Sequence, residues 1–242
     1  MPDFGSPHCH FTRTDSTNSR ARELAEAGAP HGTVVTAGEQ SEGRGRQGRV
    51  WTAPAGKGLL YSAVLRPLDE NHLLLPLSVP IAVCEAAESL RPDLACQIKW
   101  PNDVWLEGRK LAGILIEARP QDGWAVIGVG INLTVAPEEF PEELRWPAIS
   151  LFGPSEGGPI PLMAAKVLSD HLERWVAADE ATVLDAWRAR DALRGREIAW
   201  DDRGGEELSG VADGVDERGN LLVVTAGGDR VALGAGEVHL CL

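Results

Sequence analysis

The chain has 242 residues, 43% hydrophobic and 24% charged, which suits a globular protein able to bury one sizeable core and excludes a disordered one. Its formal net charge of -13 excludes a broad nucleic-acid surface, which needs clustered Lys and Arg, yet leaves room for a small anion held by a few arginines. No run approaches the roughly 20 apolar residues of a membrane span, and Cys9, Cys84, Cys96 and Cys241 lack metal-site or disulfide-framework spacing, so a cytoplasmic protein with idle thiols is expected.

Asp15 or Ser16 reads as an N-cap opening a helix over residues 17–28, with Gly28 as its stop. Residues 33–37 form a predicted short strand entering Gly43-Arg44-Gly45-Arg46-Gln47-Gly48-Arg49, and residues 59–65 a strand leaving it. In that loop glycine lets the backbone approach an anion, while arginine brings a permanent charge and a planar fork that fits phosphate or carboxylate. The arginines occupy the spacer positions and no P-loop lysine follows, so neither a P-loop nor a dinucleotide-fold glycine motif is present. Taken alone, the stretch is equally a solvated, mobile connection.

Residues 76–90 are apolar at helical spacing and stop before Pro92. Runs at 95–100, 111–118 and 124–129 suit buried sheet strands. Pro101 ends the first run and puts Asn102 and Asp103 in a turn at a strand's end, where ligands bind in open sheets. Lys110 places a cation at the mouth of the second. Gly128-Val129-Gly130-Ile131-Asn132 closes the third with glycines that permit close approach and an asparagine able to read an amide-like edge such as adenine's. Asp15-Ser16-Thr17-Asn18 offers hydroxyls and amides at a helix N-terminus. Singly, each has a bland alternative: turn former, snorkelling lysine, bulge or plain cap.

Residues 160–177 read as a long amphipathic helix and 181–193 as a shorter one. From residue 196, short Val/Leu-rich runs alternate with turn signals at Asp202-Arg203-Gly204-Gly205, Glu217-Arg218-Gly219-Asn220 and Ala226-Gly227-Gly228-Asp229. They predict a small all-β module, too small to be secure alone and therefore packed on the larger domain. The role of the loop at 153–159 is open.

In chain order, Asp-Ser-Thr-Asn, Gly-Arg-Gly-Arg-Gln-Gly-Arg-x-Trp, Lys-Trp-Pro-Asn-Asp, Lys-Leu-Ala-Gly-Ile-Leu-Ile-Glu and Gly-Val-Gly-Ile-Asn together resemble the biotin protein ligase (biotin-[acetyl-CoA-carboxylase] ligase) family, from about residue 14 to 132 and more loosely beyond. The resemblance implies an α+β chain: a mixed-sheet catalytic domain over 1–194, like class II aminoacyl-tRNA synthetases, and an SH3-like β-barrel over 195–242. It implies ATP-dependent biotinylation of a lysine on a biotin carboxyl carrier protein through biotinyl-5'-AMP, with biotin and ATP as substrates and Mg²⁺ assisting. By the same resemblance Lys110, Arg46 and Arg44 are catalytic, and Ser16, Thr17, Asn18, Gln40, Arg44, Gly45, Arg46, Lys110 and Gly113 contact biotin. Arg49, Trp51, Lys99, Asn102 and Asn132 contact ATP or AMP, while Asp103 is either a metal ligand or a turn cap.

Gln47 stands where relatives often carry a basic residue, which weakens the loop's field. Only residues 1–14 precede the first motif, too few for the helix-turn-helix of the family's repressors, so no DNA binding is expected, in agreement with the acidic charge; the lack of a long apolar run predicts no membrane binding, and monomer and homodimer both remain open. Lipoate protein ligase, with the same fold, and a non-catalytic biotin or nucleotide sensor are the competing readings. Acyl adenylation needs no protein nucleophile, which matches a chain without a Ser/His/Asp or Cys/His arrangement.

Overall fold

A computed structural model describes residues 3–144, 146–154, 160–201, 207–234 and 238–240 and arranges them around two sheets. The larger sheet holds β1 (His8–Phe11), β2 (Val34–Ala37), β3 (Gly58–Leu65), β4 (Gln97–Lys99), β5 (Asp103–Leu106), β6 (Arg109–Arg119) and β7 (Trp124–Asn132). Their order is β1-β2-β3-β7-β6-β5-β4; β1 and β2 run parallel and all other neighbours antiparallel, giving a mixed sheet. Central β3 and β7 are buried along their whole length, as their unbroken apolar runs predict.

Alternation along these strands divides the sheet's two faces. Val35, Val64, Trp124 and Val126 pack with Ala21 and Ala25 of α1 (Thr17–Glu26). Val34, Ala63, Leu65, Ala125 and Ile127 turn the other way, into the main core with α2 (Leu75–Leu90), α3 (Pro161–Val176) and α4 (Glu180–Arg188). Deep in that core the Tyr61 hydroxyl and Ser169 Oγ lie 3.0 Å apart, tying β3 to α3.

Three elements depart from the sequence reading. Strand β1 was not expected: it is a four-residue edge strand with mostly exposed side chains and no apolar alternation. Strand β5 begins directly after the Trp100-Pro101-Asn102 turn, so Asp103 is a buried strand residue and only Asn102 sits in the turn. Helix α4 ends at Arg188 because the next residues run beside β4: Ile98 N donates to Arg190 O (2.7 Å), Ala192 N donates to Ile98 O (2.9 Å), and Asp191 accepts from Leu193 N (2.8 Å).

The second sheet is antiparallel throughout: β8 (Glu197–Asp201), β9 (Glu207–Val215), β10 (Leu221–Thr225), β11 (Arg230–Leu233) and β12 (Val238–Leu240), in the order β11-β10-β9-β8-β12. The turn signals at 217–220 and 226–229 join β9 to β10 and β10 to β11. The signal at 202–205, Cys241 and residues 155–159 of the 153–159 loop lie outside the described residues. The module packs on the larger domain: Trp200, Val215, Leu221 and Val238 belong to the same apolar cluster as Leu77, Ile98 and Trp100, and Trp100 Nε1 donates to Gly219 O at 3.1 Å. Among the described residues no helix is long and apolar enough to cross a membrane.

Candidate functional site

A cavity lies between the start of α1, the Gly/Arg loop and the β5–β6–β7 face. At its α1 end, Thr17 N donates to Gln40 Oε1 at 2.7 Å, and Thr17 Oγ1 lies 2.9 Å from the same oxygen. Gln40 therefore satisfies a free amide of the first helical turn, a task the sequence assigns to Asp15 or Ser16. Ser16 holds the N-cap position without a side-chain cap bond and lines the cavity, and Asp15 accepts from Ser16 N and Arg20 instead. The Ser62 hydroxyl lies 2.9 Å from Thr17 Oγ1 and 2.7 Å from Asn18 Oδ1, and Asn18 Nδ2 donates to Leu115 O and Glu117 Oε2. This packing requires Gly128, where a Cβ would come 2.0 Å from Asn18 Oδ1.

The Gly/Arg loop folds back on itself, with Gly45 N donating to Arg49 O (2.7 Å) and Gln47 in the left-handed region at φ 55°. Behind the loop, the Trp51 indole packs against the sheet where Gly113 pairs with Gly130; a Cβ on Gly130 would meet the ring at 2.3 Å. The two glycines make a slot that fits a planar group.

The opposite end is cationic. Lys110 Nζ sits 2.7 Å from Asp103 Oδ1 and 5.7 Å from the Trp51 ring. Lys99, only 4% exposed, donates to Val238 O at 3.2 Å and lies 5.0 Å from the Trp146 ring. Burial draws the Lys99 ammonium down to a pKa of about 8, with Asp103 opposing and Lys110, Arg49 and Arg46 adding to the fall. Burial also lowers Arg46, again against the pull of Asp103. Among the described residues lining the cavity, Arg44, Arg46, Arg49, Lys99 and Lys110 face one carboxylate, Asp103. In a chain of net charge -13, this gathering of cations at one cavity suits an anion.

Of the residues singled out from the sequence, Ser16, Thr17, Asn18, Gln40, Gly45, Trp51, Asn102 and Gly113 line the same cavity with those five cations. Asn132 does not: its buried amide donates to Lys110 O (3.4 Å) and Ile149 O (3.2 Å), pinning the backbone that carries Lys110. Asp103 is engaged by Lys110, and among the described residues no three His, Cys, Asp or Glu side chains are grouped to hold a metal. Sequence reasoning missed Ser62, Glu117, Trp146 and Val238. A carboxylate closing the apolar run 111–116 was the available signal for Glu117; Trp146 and Val238 reach the cavity only through tertiary packing.

Residues 10–132 match the biotin/lipoate A/B protein ligase family, and residues 195–240 match the biotin protein ligase C-terminal domain. The biotin--[acetyl-CoA-carboxylase] ligase of Mycobacterium tuberculosis is 35% identical over 240 residues, covering 94% of this chain and 87% of that protein. The bifunctional ligase/repressor of Bacillus subtilis is 40% identical over 142 residues, 56% of this chain but only 43% of that longer protein. Among solved structures, a biotin protein ligase from Aquifex aeolicus in complex with biotin and ATP superposes with a TM-score of 0.79 at 29% identity, covering 98% of this chain and 99% of that one.

Proposed function

The chain belongs to the biotin/lipoate A/B protein ligase family, and from that premise we propose that it joins biotin to a lysine of a biotin carboxyl carrier protein, using ATP and passing through biotinyl-5'-AMP. One observation carries the reading: a single cavity combines a neutral, hydrogen-bonding end at Thr17, Asn18 and Gln40 with a cationic end where Arg46, Lys99 and Lys110 converge. The neutral end suits an uncharged ureido ring, and the cationic end suits a carboxylate meeting a triphosphate. In line with this, the larger sheet is of the class II aminoacyl-tRNA synthetase type, the second is an SH3-like barrel, and the boundary falls between residues 194 and 195.

Two anions brought to about 4 Å repel by roughly 4 kcal/mol at a surface-like dielectric of about 20. Lys110 and Arg46 remove that barrier by standing beside both. Asp103 holds the Lys110 ammonium in place through their 2.7 Å ion pair. A biotin carboxylate oxygen then attacks the α-phosphorus, the bond to pyrophosphate breaks, and charge on the leaving oxygens is met by fixed cations. Lys99 and Arg49 take the phosphate side, and Trp51 and Asn102 the adenine side. In the second half-reaction the carrier's lysine amine attacks the acyl carbon, the bond to AMP breaks, and the amine releases a proton. Magnesium belongs to the ATP it accompanies. The acidic chain leaves DNA out of this function.

The test is to incubate the protein with biotin, ATP, Mg²⁺ and a carrier domain, following the carrier's mass with lipoate in parallel. An ATP-dependent gain of one biotin, absent with Lys110→Ala, is the expected result. A gain with lipoate alone overturns the choice of substrate, and biotin binding with no gain makes the protein a sensor.

A further inference from the structure

Glu117 lies outside the cavity lining and has no part in the chemistry above, yet its carboxylate joins two sides of the site. Arg44 Nη1 of the Gly/Arg loop lies 3.1 Å from each of its oxygens, and Asn18 Nδ2 of α1 donates to Oε2 at 3.0 Å. Because a carboxylate only accepts, Asn18 must turn its NH₂ toward Glu117, which aims Oδ1 at Ser62, 2.7 Å away. The single Ser62 proton goes to that Oδ1, so Ser62 Oγ accepts from Thr17 Oγ1, and the Thr17 backbone N–H donates to Gln40 Oε1. An unbroken hydrogen-bonded chain thus runs from the loop arginine, through Glu117, to the neutral end of the cavity.

The two ties at Glu117 differ in strength. Asn18 is buried and held by neighbours on both sides, whereas the Arg44 side chain is 42% exposed and its ion pair is of the weak, exchangeable kind. A ligand that reorders Asn18 or draws Arg44 inward changes what the shared carboxylate offers to the other.

Resting on the ligase reading, we propose that Glu117 is a positioning residue that couples recognition of biotin at the α1 end to the setting of the Gly/Arg loop, without touching the ligand. Glu117→Gln keeps the shape and removes the charge. The expected result is a biotin KM raised about tenfold, the effect of one charge-assisted bond, with kcat and the ATP KM within about twofold of the parent. Biotin should also slow tryptic cleavage at the loop arginines in the parent chain and fail to do so in the variant. Arg44→Gln combined with Glu117→Gln should be no worse for biotin KM than the poorer single variant.

A biotin KM within about twofold of the parent, or strictly additive effects in the double variant, overturns the proposal. So does a joint loss of kcat and both KM values with a lower melting temperature, which marks a purely structural role. Should Glu117→Gln not fold, Glu117→Asp, which withdraws the carboxylate from Arg44, is measured instead. A parent chain that fails to label the carrier sinks the ligase reading, whereas calorimetric biotin binding without ATP still decides the role of Glu117.

Discussion

At the α1 end of the cavity, Thr17, Asn18, Gln40 and Ser62 direct their hydrogen bonds at one another; at the β4–β5 end, Arg46, Arg49, Lys99 and Lys110 gather around one carboxylate, Asp103. The first end is neutral and already satisfied, so its energy resides in geometry. The second gathers cations from three segments of the chain, so its energy resides in charge. Changes of shape should therefore be felt at the first end as altered biotin affinity, and changes of charge or pH at the second as altered rate or nucleotide affinity.

The hardest test of that division is Lys110→Ala. Removing a preorganised charge from the reacting centre should cost on the order of 10²–10³-fold in adenylate formation, read as pyrophosphate release. Activity within about tenfold of the parent would take Lys110 out of the chemistry. Gly128→Ala probes the neutral end by shape alone, since its Cβ would lie 2.0 Å from Asn18 Oδ1. Overpacking of that kind costs roughly 1–3 kcal/mol, so biotin KM should rise about fivefold to 150-fold with the ATP KM little changed. Equal damage to both substrates would erase the distinction between the ends.

Dependence on pH sharpens the contrast further. The Lys99 ammonium, held at about 8 by burial against an ordinary 10.5, gives up its proton as pH rises through 8, so the ATP KM should climb several-fold between about pH 7 and 9.5 while the biotin KM stays flat. Between about 8 and 10.5 the unfolded chain binds a proton that the folded chain lacks, so stability rises with pH across that window. Lys99→Met should remove both slopes, checked by KM series and by denaturant melts at each pH. The smallest kinetic effect is expected from Asn132→Ala. Loss of two bonds from a buried amide should cost roughly 1–3 kcal/mol of stability, with the ATP KM within about twofold. A large rise in that KM would return Asn132 to the nucleotide site.

Long apolar runs made β3, β6, β7 and α2 legible, because a buried strand or helix must be apolar wherever it lies in the core. Strand β1 was hidden by its edge position, where four residues need no apolar pattern, and β5 by Pro101, whose turn signal masks the strand that starts two residues later. The cavity was legible as five ordered motifs, and most of the residues they named share its walls. Asn132 is the exception: it ends a strand, which suggests access, but it ends a central strand buried on both faces. Ser62 lies on a strand and acts through side chains far away in sequence, which no local pattern discloses, and for Glu117 the only local signal is a carboxylate closing an apolar run.

The apolar cluster that Trp200, Val215 and Val238 share with Leu77, Ile98 and Trp100 has a thermal consequence. An undivided core offers no seam along which one part can melt before the other, so heating should give a single calorimetric transition whose enthalpy matches its van't Hoff value. The chain should also carry no separately stable fragment on either side of residue 195. Two units distinct along the backbone are, to heat, one cooperative object.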